Sequence, residues 1–391
     1  MITLKGKYNS ANVFIDEIDK TTEEQIRTFL NHPAFKGSYI AIMPDCHAGI
    51  GSCIGLTMTL KDYVIPNIVG VDIGCGIVTY CLGKMSLKDK NFKELDEYIR
   101  KNIPTGFKSR LDTSIKEILD TSFICNVEQT CMDTIQDEDK VFKSLATLGG
   151  GNHFIELGED SQNFKWLTIH TGSRNFGYSV ARYHQNRAKE LMKKFFIEDK
   201  YKNLEFLVME DKEEDYLNDM EVAQEYALEN RRIIAQIIIE GFFDLKMSSF
   251  NDSNRVESVH NYIDVYSHIA RKGAISAGLN EECIIPLNMR DGILMCTGKG
   301  NKKWNYSAPH GAGRLMSRRE ARNNVKLKDY KDTMKDVWSS CINENTIDEA
   351  PMAYKDKDII LKHIEETVDL NFIIKPLYNF KDDTKKGKKN E

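Results

Sequence analysis

The sequence predicts one large α+β domain carrying a helical insertion. Three observations lead there. The 391-residue chain is 41% hydrophobic and 29% charged, a soluble globular composition on a length that buries a substantial core without disulfide or metal staples. Apolar residues recur at period two in some stretches and at period 3.6 in others, without the regular strand–helix–strand beat of a parallel sheet. From about Ser179 to Leu245 the chain is rich in Glu, Lys and Arg, and Met220, Ala223, Ala227 and Ile234 mark one buried stripe there, the pattern of amphipathic helices.

In chain order, the first helix is expected over Thr22 to Leu30, where Thr22 and Gln25 fit a capping box and Ile26, Phe29 and Leu30 share a face. Val69, Val71 and Ile73 alternate with smaller residues, as do Val78, Tyr80 and Leu82, which reads as strands broken at Gly74–Cys75–Gly76. A second helix covers roughly Leu87 to Lys101, with Phe92, Leu95 and Ile99 inward. Lys165 to His170 alternates as a strand, with Trp166, Thr168 and His170 on one face. Strands return at Cys283–Ile285 and Ile293–Cys296, and the tail after Lys381, DDTKKGKKNE, is expected to be frayed. The organisation is thus one domain over 1–381, with the insertion at about 179–245, followed by a charged flexible tail over 382–391.

Charge and cysteine usage exclude several classes. The 54 basic against 59 acidic residues give a net charge of −5, which excludes a protein that coats nucleic acid indiscriminately but leaves room for a local basic groove. No uncharged apolar run approaches the ~18–20 residues of a membrane span. The start, MITLKGKYNS, lacks the apolar core of a signal peptide, so the expected compartment is the cytoplasm. Nine cysteines without a CxxC pair then read as free thiols.

The histidines carry the chemical signal. Of nine, six lie in glycine-rich or otherwise constrained segments: His47, His153, His170, His260, His268 and His310. Asp72 and Cys75 stand three apart in VGVDIGCG, where a glycine-kinked chain points both into one cavity. Carboxylate, thiolate and imidazole together suit a borderline transition ion such as Mn, Co or Zn, whereas calcium or magnesium takes more oxygens. Three small-residue loops, Gly149–Gly151, Thr297–Asn301 and His310–Arg314, are candidates to present backbone N–H groups to phosphates. No GxxxxGK[ST] occurs and GIGSCIG does not match GxGxxG, which argues against a P-loop or Rossmann site.

Taken in order, PDCHAGIG, VGVDIGCG, GGGNHFIE, HTGSRNFG, HNY, RKGA, GKGN and HGAGR resemble the RtcB family of GTP-dependent RNA ligases. The resemblance runs from about Met43 to Arg314 and continues weakly through AYKD to NFKD. It implies mixed sheets around a central metal and nucleotide cleft, and an enzyme that joins an RNA 2′,3′-cyclic phosphate or 3′-phosphate to a 5′-hydroxyl with GTP and two manganese ions, in RNA repair or tRNA processing. It maps metal ligation to Asp72, Cys75, His153, His170 and His260, with Cys75 bridging the ions. It maps the nucleophile that takes up GMP to His310. Guanylate contacts fall on Asn152, His153, Glu156, Asn261, Pro286, Asn288, the backbone of Gly311, Ala312 and Gly313, and Lys381. Arg174 and Arg314 are candidate phosphate clamps. An activating protein partner is compatible with this reading.

The chain departs from the family pattern at Ile50, where many members place lysine, and near Ile293, apolar where some relatives carry a hydroxyl. It is also shorter than the long archaeal-type members. Two other readings stay open: a binuclear metallophosphoesterase acting on RNA ends, and a sensor of RNA ends that binds guanylate without turnover.

Overall fold

The computed structural model describes residues 1–87, 89–194, 201, 203–208 and 213–384. The N-terminal part holds strands β1 (Ile2–Lys5) and β2 (Ser10–Val13), helix α1 (Lys20–Leu30), β3 (Ile40–His47), β4 (Ile54–Thr59), β5 (Tyr63–Val64), the short α2 (Pro66–Val69) and β6 (Gly76–Lys84). Helices α3 (Asp89–Asn102), α4 (Thr121–Asp133) and α5 (Glu138–Lys143) precede the strand pair β7 (Phe154–Glu159) and β8 (Phe164–Thr171). Next come α6 (Arg174–Lys194), β9 (Leu207–Val208) and the long α7 (Glu213–Gly241). The last part contains β10 (Arg255–Val259), β11 (Asn261–Asp264), β12 (Ile269–Lys272), β13 (Ala274–Ser276), β14 (Glu282–Asn288), β15 (Gly292–Gly298) and β16 (Ser307–Pro309). It closes with α8 (Arg318–Asn324), α9 (Leu327–Thr333), α10 (Lys357–Ile364) and β17 (Val368–Phe380).

Two mixed-order sheets organise these elements. One has six strands in the order β1-β2-β3-β4-β12-β11; the other has seven, β10-β6-β8-β7-β17-β15-β14. Helices and sheets are mixed within one fold, the α+β class expected. Period-two alternation gives the seven-stranded sheet two unlike faces. Ile155, Leu157, Leu167 and Ile169 point into the large apolar core, which also holds Met220, Ala223 and Ile234 of α7. Phe154, Glu156, Thr168 and His170 alternate with them and point the other way. Each fully buried Leu or Ile on the core face contributes about 1.5–3 kcal/mol, which fixes the register and with it the opposite face.

Most elements fall where the periodicity places them, and α3 buries Phe92, Leu95 and Ile99 as expected. Two local expectations do not hold. The first helix is capped by Asp19, whose side chain accepts from the Thr22 backbone N–H, while Thr22 itself is buried; Gln25 instead bonds the Gly49 backbone across the chain. Val69–Ile73 is not a strand, because Pro66 starts a helical turn at its first position and Gly70, at φ 89°, ends it.

Within the insertion, parts of the stretch between α6 and α7 lie outside the described residues. Asp383 of the tail is bonded by Arg100; residues 385–391 lie outside the described ones. All nine cysteines are free thiols. No helix among the described residues is long and apolar enough to cross a membrane.

Candidate active site

Four neighbouring strands bring the candidate metal ligands to one edge. Val259 pairs with Gly76, Gly76 with Thr171, Ile77 with His170, and His170 with Phe154. That register sets Cys75, His170, His153 and His260 beside one another at the ends of β6, β8, β7 and β10. Cys75 Sγ lies 3.5 Å from His153 Nε2 and 3.4 Å from His170 Nε2, and these three ligand atoms lie within 4.8 Å of one another. Asp72 Oδ2 is 3.7 Å from His153 Nε2, and the His260 ring sits 5.2 Å from that of His170. Gly172 lets the pieces meet, since a Cβ there would stand 2.6 Å from Asp72 Oδ1.

The donor set fits a transition ion. The Leu148 carbonyl accepts from His153 Nδ1 at 2.9 Å, which turns the Nε2 lone pair toward Cys75 as an outer-shell partner does at a metal ligand. Burial, aided by neighbouring cationic groups, keeps His170 and His260 well below the usual imidazole range, hence neutral. Burial and the nearby Asp72 push the Cys75 thiol up; a bound cation reverses that by favouring thiolate. His260 Nδ1 is buried without a hydrogen-bond partner among the described residues.

His310 follows β16 and continues this line of rings, 4.9 Å from His260. Its Nδ1 bonds Asp45 Oδ2 at 2.6 Å, and its backbone N–H donates to the same oxygen at 3.2 Å. Asp45 is wholly buried in β3. A carboxylate accepts, so Nδ1 carries the proton and Nε2 keeps its lone pair. Gly273, at φ +60°, brings the chain so close that a Cβ would stand 3.2 Å from His310 Cε1.

These groups open on a cleft of about 360 Å³. Asp72, His170, His260 and His310 line one side. The floor is the polar face of the seven-stranded sheet, where Glu156 of β7 pairs with Asn379 of β17 and receives its amide N–H at 2.7 Å. Lys381 lies two residues on, over the Phe154 ring. Burial pushes the Glu156 carboxyl up to about 8, against the opposing pull of Asn379 and Lys381. Glu349 behaves in the opposite way: burial is outweighed by Lys381, Arg318 and Arg314, which hold it at about 2. Tyr354 donates to Glu349 at 2.7 Å, and Arg318 forms a close ion pair with it.

Of the expected nucleotide contacts, Asn152, Glu156, Asn261, Pro286, Asn288, Gly311, Ala312, Gly313 and Lys381 line the cleft. His153 stands behind it with Cys75. The Asn261 side chain is already engaged, donating to the Asp72 carbonyl and accepting from Gly273 N–H. Arg314 lines the cleft yet is held by Glu349, Tyr354 and the Asp348 carbonyl. Other expectations are displaced. Arg174 is a staple, bonding Thr147 Oγ1 and the Gly106 carbonyl rather than lining the cleft. The Thr297–Asn301 loop is tied to the chain at Glu365–Thr367 and His268 sits in a turn beside Leu60.

Sequence reading named His47 without giving it a role and missed Asp45, Arg318, Glu349, Tyr354 and Asn379. Asp45 and His47 lie inside PDCHAGIG, and Tyr354 inside AYKD, so a signal was present for those. Glu349 sits in a short 3₁₀ segment without a motif, and the Asn379 role depends on its cross-strand partner.

Comparison with known proteins identifies the family. The family model described as tRNA-splicing ligase RtcB matches residues 25–382. The chain is 30% identical to the RNA-splicing ligase RtcB of Escherichia coli strain K12, covering 86% of this chain and 88% of that protein. It is 26% identical to the tRNA-splicing ligase RtcB of Aeropyrum pernix, covering 82% of each. With a family match spanning nearly the whole chain over a fold that gathers the motif residues into one cleft, the chain belongs to the RtcB family.

Proposed function

We propose that this chain is a cytoplasmic, GTP- and manganese-dependent RNA ligase that joins 3′-phosphate or 2′,3′-cyclic phosphate ends to 5′-hydroxyl ends in RNA repair or tRNA processing. The observation that carries the reading is His310 held by Asp45 with Nε2 bare, one ring away from the cysteine–histidine cluster. Asp72, Cys75, His153, His170 and His260 are the residues that would hold two divalent ions. Such ions neutralise phosphate charge and orient in-line displacement.

The chain's own groups do the rest. His310 Nε2 attacks the α-phosphorus of GTP, the bond to the β-phosphate oxygen breaks, and pyrophosphate leaves with His310 carrying GMP. Asp45 stabilises the ring as it gains positive character. An oxygen of the RNA 3′-phosphate then displaces the imidazole and takes the guanylate; a cyclic phosphate is first opened by water. Finally the 5′-hydroxyl attacks the activated 3′-phosphate, releasing GMP and forming the phosphodiester. A hydrolase acting through the metal cluster alone has no use for the Asp45–His310 pair.

The test is sealing. A nicked RNA stem-loop with a 2′,3′-cyclic phosphate and a 5′-hydroxyl is incubated with the protein, GTP and manganese. Formation of a continuous strand, dependent on GTP, is expected; release of phosphate without joining contradicts the reading and favours the phosphoesterase.

A further inference from the structure

Asp45 stands on a stretch of β3 that the neighbouring strands do not pair. Pairing with β2 ends at Ile42, and pairing with β4 jumps from Ile42 to His47. A buried backbone carbonyl outside a ladder needs another donor, and Lys355 serves two of them. Its Nζ donates to the carbonyls of Pro44 at 2.9 Å and Cys46 at 3.0 Å, one on each side of Asp45. An ammonium group carries three N–H donors, so a single side chain can bracket the residue. The backbone of Lys355 meanwhile grips the chain that carries His310. Its N–H donates to the Gly313 carbonyl at 3.0 Å, and the Ala353 carbonyl accepts from Leu315 N–H at 2.8 Å.

The carboxylate has little else to hold it. Asp45 Oδ2 takes both bonds to His310, while Oδ1 is buried without a hydrogen-bond partner among the described residues. Its place is therefore set by the backbone beneath it. We propose that Lys355 is a positioning residue for the nucleophile, bracketing Asp45 from the segment bound to Gly313 so that the carboxylate keeps the His310 proton on Nδ1. The inference rests on the ligase reading for the use made of His310, and adds a residue to it. Lys355 is not among the described residues that line the cleft, so it acts through Asp45 rather than on the substrate. Without the ammonium, two buried carbonyls lose charge-assisted bonds and the segment between them is free to shift.

Lys355→Met keeps the apolar stem and removes the donors; Lys355→Arg restores a donor for each carbonyl. The first measurement needs neither nucleotide nor metal. In the full chain with ¹⁵N-labelled histidine, the His310 ring, identified by its absence in His310→Ala, is expected to show Nδ1 protonated and Nε2 bare. Lys355→Met is expected to show a mixture of tautomers, and Lys355→Arg the wild-type pattern. The second measurement is single-turnover transfer of GMP from α-labelled GTP with manganese. Because a misplacement of about 1 Å costs up to about 10²-fold, transfer in Lys355→Met is expected to slow roughly 10–10²-fold, with GMP affinity within about twofold of wild type. Lys355→Arg is expected to recover most of the rate. An unchanged His310 spectrum in Lys355→Met, or a rate that falls only as far as GMP affinity falls, overturns the proposal. If Lys355→Met does not fold, Lys355→Gln, too short to serve both carbonyls, decides on the same readings. The stated spectra in a protein that takes up no GMP sink the ligase reading and leave the role of Lys355 standing.

Discussion

Asp45 Oδ2 stands 2.6 Å from Nδ1 of His310 and 3.2 Å from its backbone nitrogen, so one buried carboxylate fixes both the ring and the chain that carries it. The two residues lie on β3 and just after β16, far apart in sequence, and Gly273 removes the side chain that would otherwise push the ring aside. The geometry sets which ring nitrogen keeps its lone pair.

Asp45→Asn tests that consequence. The amide fills the same space, but its N–H₂ end is able to donate to Nδ1 and move the ring proton to Nε2, where it blocks attack. Transfer of label from GTP to the protein is expected to slow roughly 10²–10⁴-fold, with the melting temperature little changed. A rate within a few-fold of wild type would show that Asp45 does not set the tautomer.

Cys75→Ala addresses the metal cluster. The Sγ atom lies between two imidazole nitrogens at 3.4 and 3.5 Å, and its loss removes an anionic donor from a site otherwise built of imidazoles and Asp72. Elemental analysis of the purified variant is expected to show loss of bound manganese, together with loss of guanylylation and retention of most of the fold. Full metal content would exclude Cys75 as a ligand that both ions share.

Sequence and structure agree most closely where the residue types of a short segment suffice to mark a shared cavity. Asp72, Cys75, His153, His170 and His260 are legible because thiol, carboxylate and imidazole in glycine-rich turns are uncommon together, and strand register then gathers them. Alternation over Lys165–His170 likewise gives β8 and the face on which His170 lies. Other features depend on partners distant in sequence. Arg174, in the motif HTGSRNFG, looks like a phosphate clamp until the Thr147 hydroxyl and the Gly106 carbonyl are seen to occupy it. Thr22 loses the cap to Asp19 because tertiary packing buries it. Asn379 acquires meaning only from lying opposite Glu156.

Stability should depend on pH through Glu156. Its carboxyl holds a proton up to about 8 in the fold, because burial disfavours the charged form, whereas the unfolded chain releases it in the usual carboxylate range. The native state therefore binds the extra proton between those two values. The stabilisation present below the usual carboxylate range is lost as pH rises through about 8. Thermal melts at about pH 5 and about pH 9 should show wild type losing ground to Glu156→Gln at the higher pH. Parallel melting curves for the two proteins would contradict the burial argument.

Arg100 positions Lys381 from outside the cleft. Its guanidinium bonds Asp96 at 2.8 Å, Ser340 at 2.6 Å and Asp383 at 3.1 Å. It also touches Cys341, whose thiol donates to the Lys381 carbonyl at 3.1 Å. Because the Arg100 side chain is 37% exposed, solvent screening limits the expected loss in Arg100→Ala to about 1 kcal/mol. The functional effect should fall on nucleotide binding: a several-fold rise in the KM for GTP with kcat nearly unchanged. An equal fall in kcat would point to damage at His310 instead.

The most direct measurement follows the α-phosphate itself. With α-labelled GTP and manganese, the protein is expected to become labelled through a bond that is labile in acid and stable in alkali, as a phosphoramidate is, and His310→Ala is expected to take up no label. Label that persists in His310→Ala, or a wild-type protein that never acquires it while binding both GTP and manganese, would contradict the account.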